Sequence, residues 1–208
     1  MNDKPPLIAI SGIDGAGKST QARRVVEALT PAYPGIRGVK TEFYGMYGVF
    51  ELARTLTGDA RGYHPLIPAT LREFVIACDA LTFSERVLRP AAEQGVALVW
   101  DRSPLCYEVY GHCYGADMTW PMKALAQVRR PDLIVLVDLD AELAVKRLAE
   151  RAEQPHQSDE DLDLLSRVRA RYLERASRRD DVEIVDGDRS TEEVTTAILD
   201  VVAARLGE

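Results

Sequence analysis

The chain has 208 residues, 46% of them hydrophobic and 28% charged, and its 26 Lys and Arg against 33 Asp and Glu give a formal net charge of −7. A chain of this size and composition buries a core without disulfide staples, and its acidic balance excludes a sequence-independent grip on a DNA or RNA polymer, which needs a basic face. Cys78, Cys106 and Cys113 lack CxxC spacing and read as reduced thiols, and no leader or bilayer-length apolar run is present, so a cytoplasmic protein with no membrane partner is expected.

The first apolar run, LIAIS (7–11), reads as a strand buried on both faces. It leads into Gly-Ile-Asp-Gly-Ala-Gly-Lys-Ser, Gly12 to Ser19, which fits GxxxxGK[ST], and a helix is predicted over 18–30. Strand, glycine-rich loop and helix in that order make a phosphate cradle. Glycines let the backbone curl so that successive N–H groups face one anion, and the helix start adds its positive end. Gly12, Ile13, Asp14, Gly15, Ala16, Gly17, Lys18, Ser19 and Thr20 are therefore the expected nucleotide-binding residues. Lys18 reaches the β- and γ-phosphates and Ser19 offers a hydroxyl to Mg²⁺. Asp14 is anomalous, because a carboxylate among amides arranged for phosphate is repelled unless it faces water, a metal or a hydroxyl on a second ligand.

A second strand is predicted over GVKTEF (38–43), a long helix over 67–93, and a strand over VALVW (96–100). Asp101 and Arg102 follow that strand and so emerge at the C-terminal edge of the sheet, where open parallel sheets bind ligands. A helix near 119–130 precedes the strand LIVLVDL (133–139) and a helix over 141–152. In the latter, Arg147 and Arg151 stand four apart on one face. The polar stretch ERAEQPHQSDE (150–160) is either a solvated connector or a lid. Ser158 is the expected cap of a helix over 159–178, with Asp159, Glu160 and Asp161 at its positive end and Leu165, Val168 and Tyr172 as its apolar stripe. The strand VEIVD (182–186) and a helix over 191–206, capped at Ser190, complete a single domain. The alternation predicts a parallel sheet with helices on both faces.

LIAISGIDGAGKSTQ (7–21) resembles the phosphate loop of thymidylate kinases. ALTFSERVLRPAAEQGVALVWDR (80–102) is similar to that family's long helix, strand and Asp-Arg signature, RRPDLIVLVDLDAELAVKRL (129–148) to its fourth strand and next helix, and SRVRARYLERA (166–176) to the helix after its lid. The resemblance implies an α/β, P-loop NTPase-type three-layer sandwich with a five-stranded parallel sheet and a short lid at about 150–160. It further implies ATP and Mg²⁺, a homodimer, and phosphoryl transfer to a nucleoside monophosphate, with dTMP or a related pyrimidine deoxynucleotide as acceptor.

By the same resemblance Arg102 holds the acceptor phosphate, Asp14 lies near the acceptor sugar and metal, and Asp101 binds Mg²⁺ through water or acts as a base. Lys18 holds the donor phosphates, and Arg147 and Arg151 stabilise the transferring group, since Gly15 stands where some members carry a loop arginine. Arg147 also suits stacking on adenine, with DGDRS (186–190) closing the other side. Tyr110 is retained in the acceptor pocket, but the pocket departs from the pattern elsewhere. Ile76 replaces a base-stacking aromatic, Ala80 a base-reading arginine, and His156 a lid arginine; Cys106 and Gly111 occupy usually polar positions, and TEFYGMYG lacks a phosphate-binding arginine. Either Phe43, Tyr44, Tyr47 or Phe74 rebuilds the pocket, or the acceptor is different. The DRS sequence also resembles bacterial deoxynucleoside kinases, in which the acidic residue, here Asp101, serves as base for a 5′-hydroxyl. A kinase for another metabolite and a non-enzymatic nucleotide switch stay open beside these.

Overall fold

β1 (Leu7–Ser11) is buried along its whole length, as an unbroken apolar run demands in a sheet covered on both faces. The computed structural model describes residues 5–58, 66–150 and 161–207. Beside β1 lie β3 (Leu98–Asp101) and β4 (Leu133–Asp138), with β2 (Arg37–Lys40) and β5 (Val182–Asp186) at the edges. The order is β2-β3-β1-β4-β5 and every pairing is parallel, which makes this the five-stranded α/β sheet the sequence implied.

That order fixes where a ligand can sit. The chain leaves β1 toward β2 on one side and leaves β3 toward β4 on the other, so the loops after β1 and β3 diverge and open a crevice at their C-terminal ends. Ile10 of β1 pairs with Asp101 of β3, and the Arg102 amide donates to the Ile10 carbonyl at 3.0 Å. The phosphate loop and the Asp101-Arg102 pair are thus held side by side.

The helices are α1 (Lys18–Leu29), α2 (Tyr44–Thr57), α3 (Ala69–Phe83), α4 (Arg89–Glu93), α5 (Pro104–Cys113), α6 (Thr119–Leu125), α7 (Ala141–Ala149), α8 (Leu162–Ala176) and α9 (Thr191–Leu206). The helix expected over 67–93 is α3 and α4 joined by a π-helical stretch, Ser84–Leu88. Pro90 has no N–H for the ladder, and the Arg89 amide bonds to Ser84 five residues back, which loosens the winding there. α1 packs on α9, and α5 packs on α8.

Several boundaries differ from expectation. β2 ends at Lys40 rather than residue 43, α6 ends at Leu125 rather than 130, and α7 at Ala149 rather than 152. Two helices were not foreseen. α5 is buried on nearly every side, so it lacks an amphipathic period, while α2 carries Gly45 and Gly48 and exposes apolar residues to solvent. α8 begins at Leu162, and its cap is Asp161, whose Oδ1 accepts from the Leu164 amide at 2.7 Å. Ser158, the expected cap, lies outside the described residues, as do Arg151, His156 and all of the expected lid except Glu150. Leu165, Val168 and Tyr172 form the buried stripe of α8 as expected, and Ser190 with Glu193 forms a full capping box on α9. Among the described residues, no helix is long and apolar enough to cross a membrane.

Candidate active site

The loop between β1 and α1 is pressed against the body of the protein at two glycines. A Cβ on Gly12 would stand 2.6 Å from the Val137 carbonyl oxygen, and one on Gly15 would stand 2.7 Å from that of Ala144. Gly15 also has φ +88°, a backbone conformation that side-chain-bearing residues rarely adopt. The arginine that some phosphate loops carry at this position therefore has no room here. Ile13 and Ala16 are buried beneath the loop, and Gly17, in the left-handed region, caps α1.

Lys18 is buried and donates from Nζ to the Ile13 carbonyl at 2.8 Å and to Asp14 Oδ1 at 3.1 Å. Burial pulls its pKa below the usual lysine value, against the raising effect of Asp14. Two loop amides are already engaged: Asp14 N–H donates to the Tyr110 hydroxyl at 2.9 Å, and Ala16 N–H to the Ile13 carbonyl at 3.1 Å. The amides of Lys18, Ser19 and Thr20, at the start of α1, have no partner within the helix and also point to the cradle.

Asp14 is the centre of the site. Its Oδ1 receives Arg102 Nη2 at 2.6 Å as well as Lys18, and its Oδ2 accepts from the Tyr110 hydroxyl at 3.0 Å. Burial alone would raise its pKa, but the Arg102 and Lys18 charges and the hydrogen bonds from Lys18 and Tyr110 hold it well below the carboxylate range. Tyr110 is pushed well above the ordinary phenol value by burial and by Asp14, so it stays a neutral donor. Arg102 also donates to Cys106 Sγ at 3.2 Å and lies over the Tyr110 ring, 5.8 Å from its centroid.

Ser19 donates from Oγ to Asp101 Oδ2 at 2.5 Å, while Asp101 Oδ1 is buried without a hydrogen-bond partner. An orphaned carboxylate oxygen beside a hydroxyl suits a hard cation that completes its shell with water and phosphate oxygens, which fits Mg²⁺. On the donor side, Arg147 of α7 donates from Nη2 to the Gly187 carbonyl at 3.3 Å, so it stands against the loop 186–190 expected to close over adenine.

On the acceptor side, Phe43 meets the Tyr107 ring edge-on at 5.6 Å. Tyr44, Tyr47 and Phe74 are exposed. Ile76 is half-buried against the core, and Ala80 is sealed within it. Sequence reasoning passed over Arg72, although it precedes Ile76 and Ala80 at four-residue steps on α3. Its side chain is 3% exposed and its cation lies 4.3 Å from the centroid of the Tyr114 ring.

Residues 10–198 match the family model described as thymidylate kinase. A probable thymidylate kinase of Thermococcus gammatolerans is 28% identical over 198 residues, covering 94% of this chain and 95% of that protein. A probable thymidylate kinase of Thermococcus onnurineus is 28% identical over 202 residues, covering 96% of this chain and 98% of that one.

Proposed function

The chain belongs to the thymidylate kinase family, and on that premise we propose that its acceptor is a pyrimidine deoxynucleoside monophosphate, dTMP or a close relative, which it converts to the diphosphate. It is a nucleoside monophosphate kinase with ATP as phosphate donor. One observation carries the assignment of roles: Lys18 of the phosphate loop and Arg102 after β3 contact the same oxygen of Asp14. Two cations gathered on one carboxylate bring a donor phosphate held by the first and an acceptor phosphate held by the second within reach of each other. Catalysis by such a site is mainly positioning and charge stabilisation.

In this reading the Lys18–Thr20 amides and Lys18 hold the donor phosphates, and Arg102 offsets repulsion between the two substrates. Asp14 aligns both cations and faces the acceptor sugar, with Tyr110 fixing its carboxylate. Arg147 packs on the adenine side, and Arg151 serves the transferring group. Ser19 directly and Asp101 through water would hold Mg²⁺, which neutralises charge on the donor phosphates when bound. The Asp101 carboxylate is engaged with Ser19, which favours this role over that of a base for a 5′-hydroxyl. We likewise propose a cytoplasmic homodimer, for which the exposed Leu52 and Leu56 of α2 offer an apolar surface; a monomeric mass in sedimentation would count against it.

ADP release measured across nucleosides and their monophosphates tests the acceptor. The highest kcat/KM is expected with dTMP or a closely related pyrimidine deoxynucleotide, and turnover of free deoxynucleosides without turnover of monophosphates would overturn the reading.

A further inference from the structure

A guanidinium that receives a phosphate has to be aimed without engaging the donors that receive it. Arg102 stands at φ +79° just past the end of β3, so its aim is set by contacts and not by the strand. Two hydrogen bonds supply it: Nη2 donates to Asp14 Oδ1 at 2.6 Å, and Nη1 donates to Cys106 Sγ at 3.2 Å. A guanidinium carries five N–H donors, so these two contacts leave others for an anion. The side chain is 26% exposed, which gives an anion a way in.

The two contacts differ in what else depends on them. Asp14 Oδ1 also accepts from Lys18, the proposed ligand of the donor phosphates. Its hold on Arg102 therefore changes whenever a nucleotide draws on Lys18. Cys106 is 1% exposed, so water does not compete for its sulfur. Its backbone is equally fixed. The Cys106 amide donates to the Ser103 carbonyl at 2.9 Å in the first turn of α5, and the Ser103 hydroxyl meets that of Ser11, the last residue of β1, at 3.0 Å. The sulfur is thus tied to the sheet without passing through the phosphate loop.

We propose that Cys106 is a positioning residue of the acceptor site. By accepting from Nη1 it keeps the Arg102 guanidinium turned toward the acceptor phosphate while Lys18 and Asp14 adjust to the donor. Sulfur is a weak acceptor, so it aims the group without offsetting its charge as a second carboxylate would. Cys106 acts through Arg102 and touches neither substrate. The inference rests on the proposed function, in which Arg102 binds the acceptor phosphate.

The test measures equilibrium binding of dTMP and of thymidine, which differ only in the phosphate, by calorimetry on the full chain. In Cys106→Ala the dissociation constant for dTMP should rise about 3-fold to 10-fold, the scale of one intramolecular hydrogen bond, while that for thymidine stays within about twofold. The KM for ATP should likewise be unchanged. Cys106→Ser restores an acceptor and should recover most of the dTMP affinity. Cys106→Val, which fills the space without an acceptor, repeats the alanine measurement should that variant fold poorly, with thermal melts as the check. Native dTMP affinity in a folded alanine or valine variant would overturn the proposal. So would equal weakening of dTMP and thymidine, which marks a packing role, or a serine variant no better than alanine. A native protein that binds dTMP no more tightly than thymidine refutes the phosphate role of Arg102 itself, and is recognised because that failure precedes any substitution.

Discussion

Arg102 reaches Asp14 across 88 positions of sequence, placing Nη2 2.6 Å from the oxygen that Lys18 also contacts. Arg102 is the one non-glycine among the described residues with a positive φ, at 79°. Such a conformation costs about 1–3 kcal/mol and persists where the surroundings over-determine it, commonly at working sites. Here the Ile10 carbonyl, Asp14, Cys106 and the Tyr110 ring all fix the residue.

Removing that side chain separates the two substrates. Arg102→Ala should lower kcat/KM for the acceptor by roughly 10²-fold or more, the scale of losing a donor aimed at a reacting group. ATP affinity should change by less than about threefold, because Lys18 and the loop remain. Steady-state kinetics with each substrate varied, plus ATP titration, measure both. Equal loss on the two sides would show that Arg102 serves the donor or the fold.

Asp14 makes stability depend on acid. Burial opposes its charge, but Arg102, Lys18 and Tyr110 outweigh burial and hold its folded pKa below the ordinary 3.8. As pH falls the unfolded chain takes up this proton first. The stabilisation is therefore complete above about pH 5 and drains as pH falls toward the folded value. Urea melts at pH 7, 4 and 3 should show the loss. Asp14→Asn should be less stable at pH 7, by on the order of 2–4 kcal/mol, since it removes the counter-charge of the buried Lys18 and the half-buried Arg102, and should lose less on acidification. An acid limb of unchanged size in Asp14→Asn would assign it to other carboxylates.

The parts of this molecule legible in sequence are those whose signal is local. β1 and β5 have the predicted limits because apolar runs end at turn-forming residues, and the phosphate loop declares itself through glycine spacing. Asp14 was visible as an anomaly and its partner Lys18 is local, but Arg102 follows β3 and Tyr110 lies on α5, and no local pattern names those two. α5 was missed because burial on nearly all sides erases helical periodicity. Arg72 was missed because an arginine on a helix is ordinarily solvated, and only its place between Glu73 and Tyr114 makes it unusual.

Gly15 leaves no room for a loop arginine, so in the proposed mechanism the arginine for the transferring phosphoryl group comes from elsewhere in the chain. Its missing Cβ leaves room for the α7 backbone, where Ala144 Cα would stand 3.0 Å from any Cβ and its carbonyl oxygen 2.7 Å. Gly15→Ala should cost about 1–3 kcal/mol for the left-handed backbone alone, and more for pushing the loop off α7. The displacement also moves Arg147, which shares that helix, so the KM for ATP should rise with the loss of stability. A variant with native melting temperature and native KM for ATP would show that the loop has slack at this position.

Asp101 separates the metal role from the base role. Its Oδ2 is bonded to Ser19 at 2.5 Å and its Oδ1 is buried without a partner, an arrangement a water-shelled cation would complete. Asp101→Asn keeps the shape and the Ser19 contact but removes the charge. If the carboxylate positions Mg²⁺ through water, kcat should fall by roughly 10²-fold at limiting Mg²⁺ and recover in part as Mg²⁺ is raised. Folding should not suffer, because a neutral amide relieves a stranded anionic oxygen. If the carboxylate is a base, the loss will be the same at every Mg²⁺ concentration, and it will be largest for an acceptor with a free 5′-hydroxyl. Kinetics over a Mg²⁺ series with dTMP and with thymidine distinguish the two, and a Mg²⁺-independent loss would remove Asp101 from the metal site.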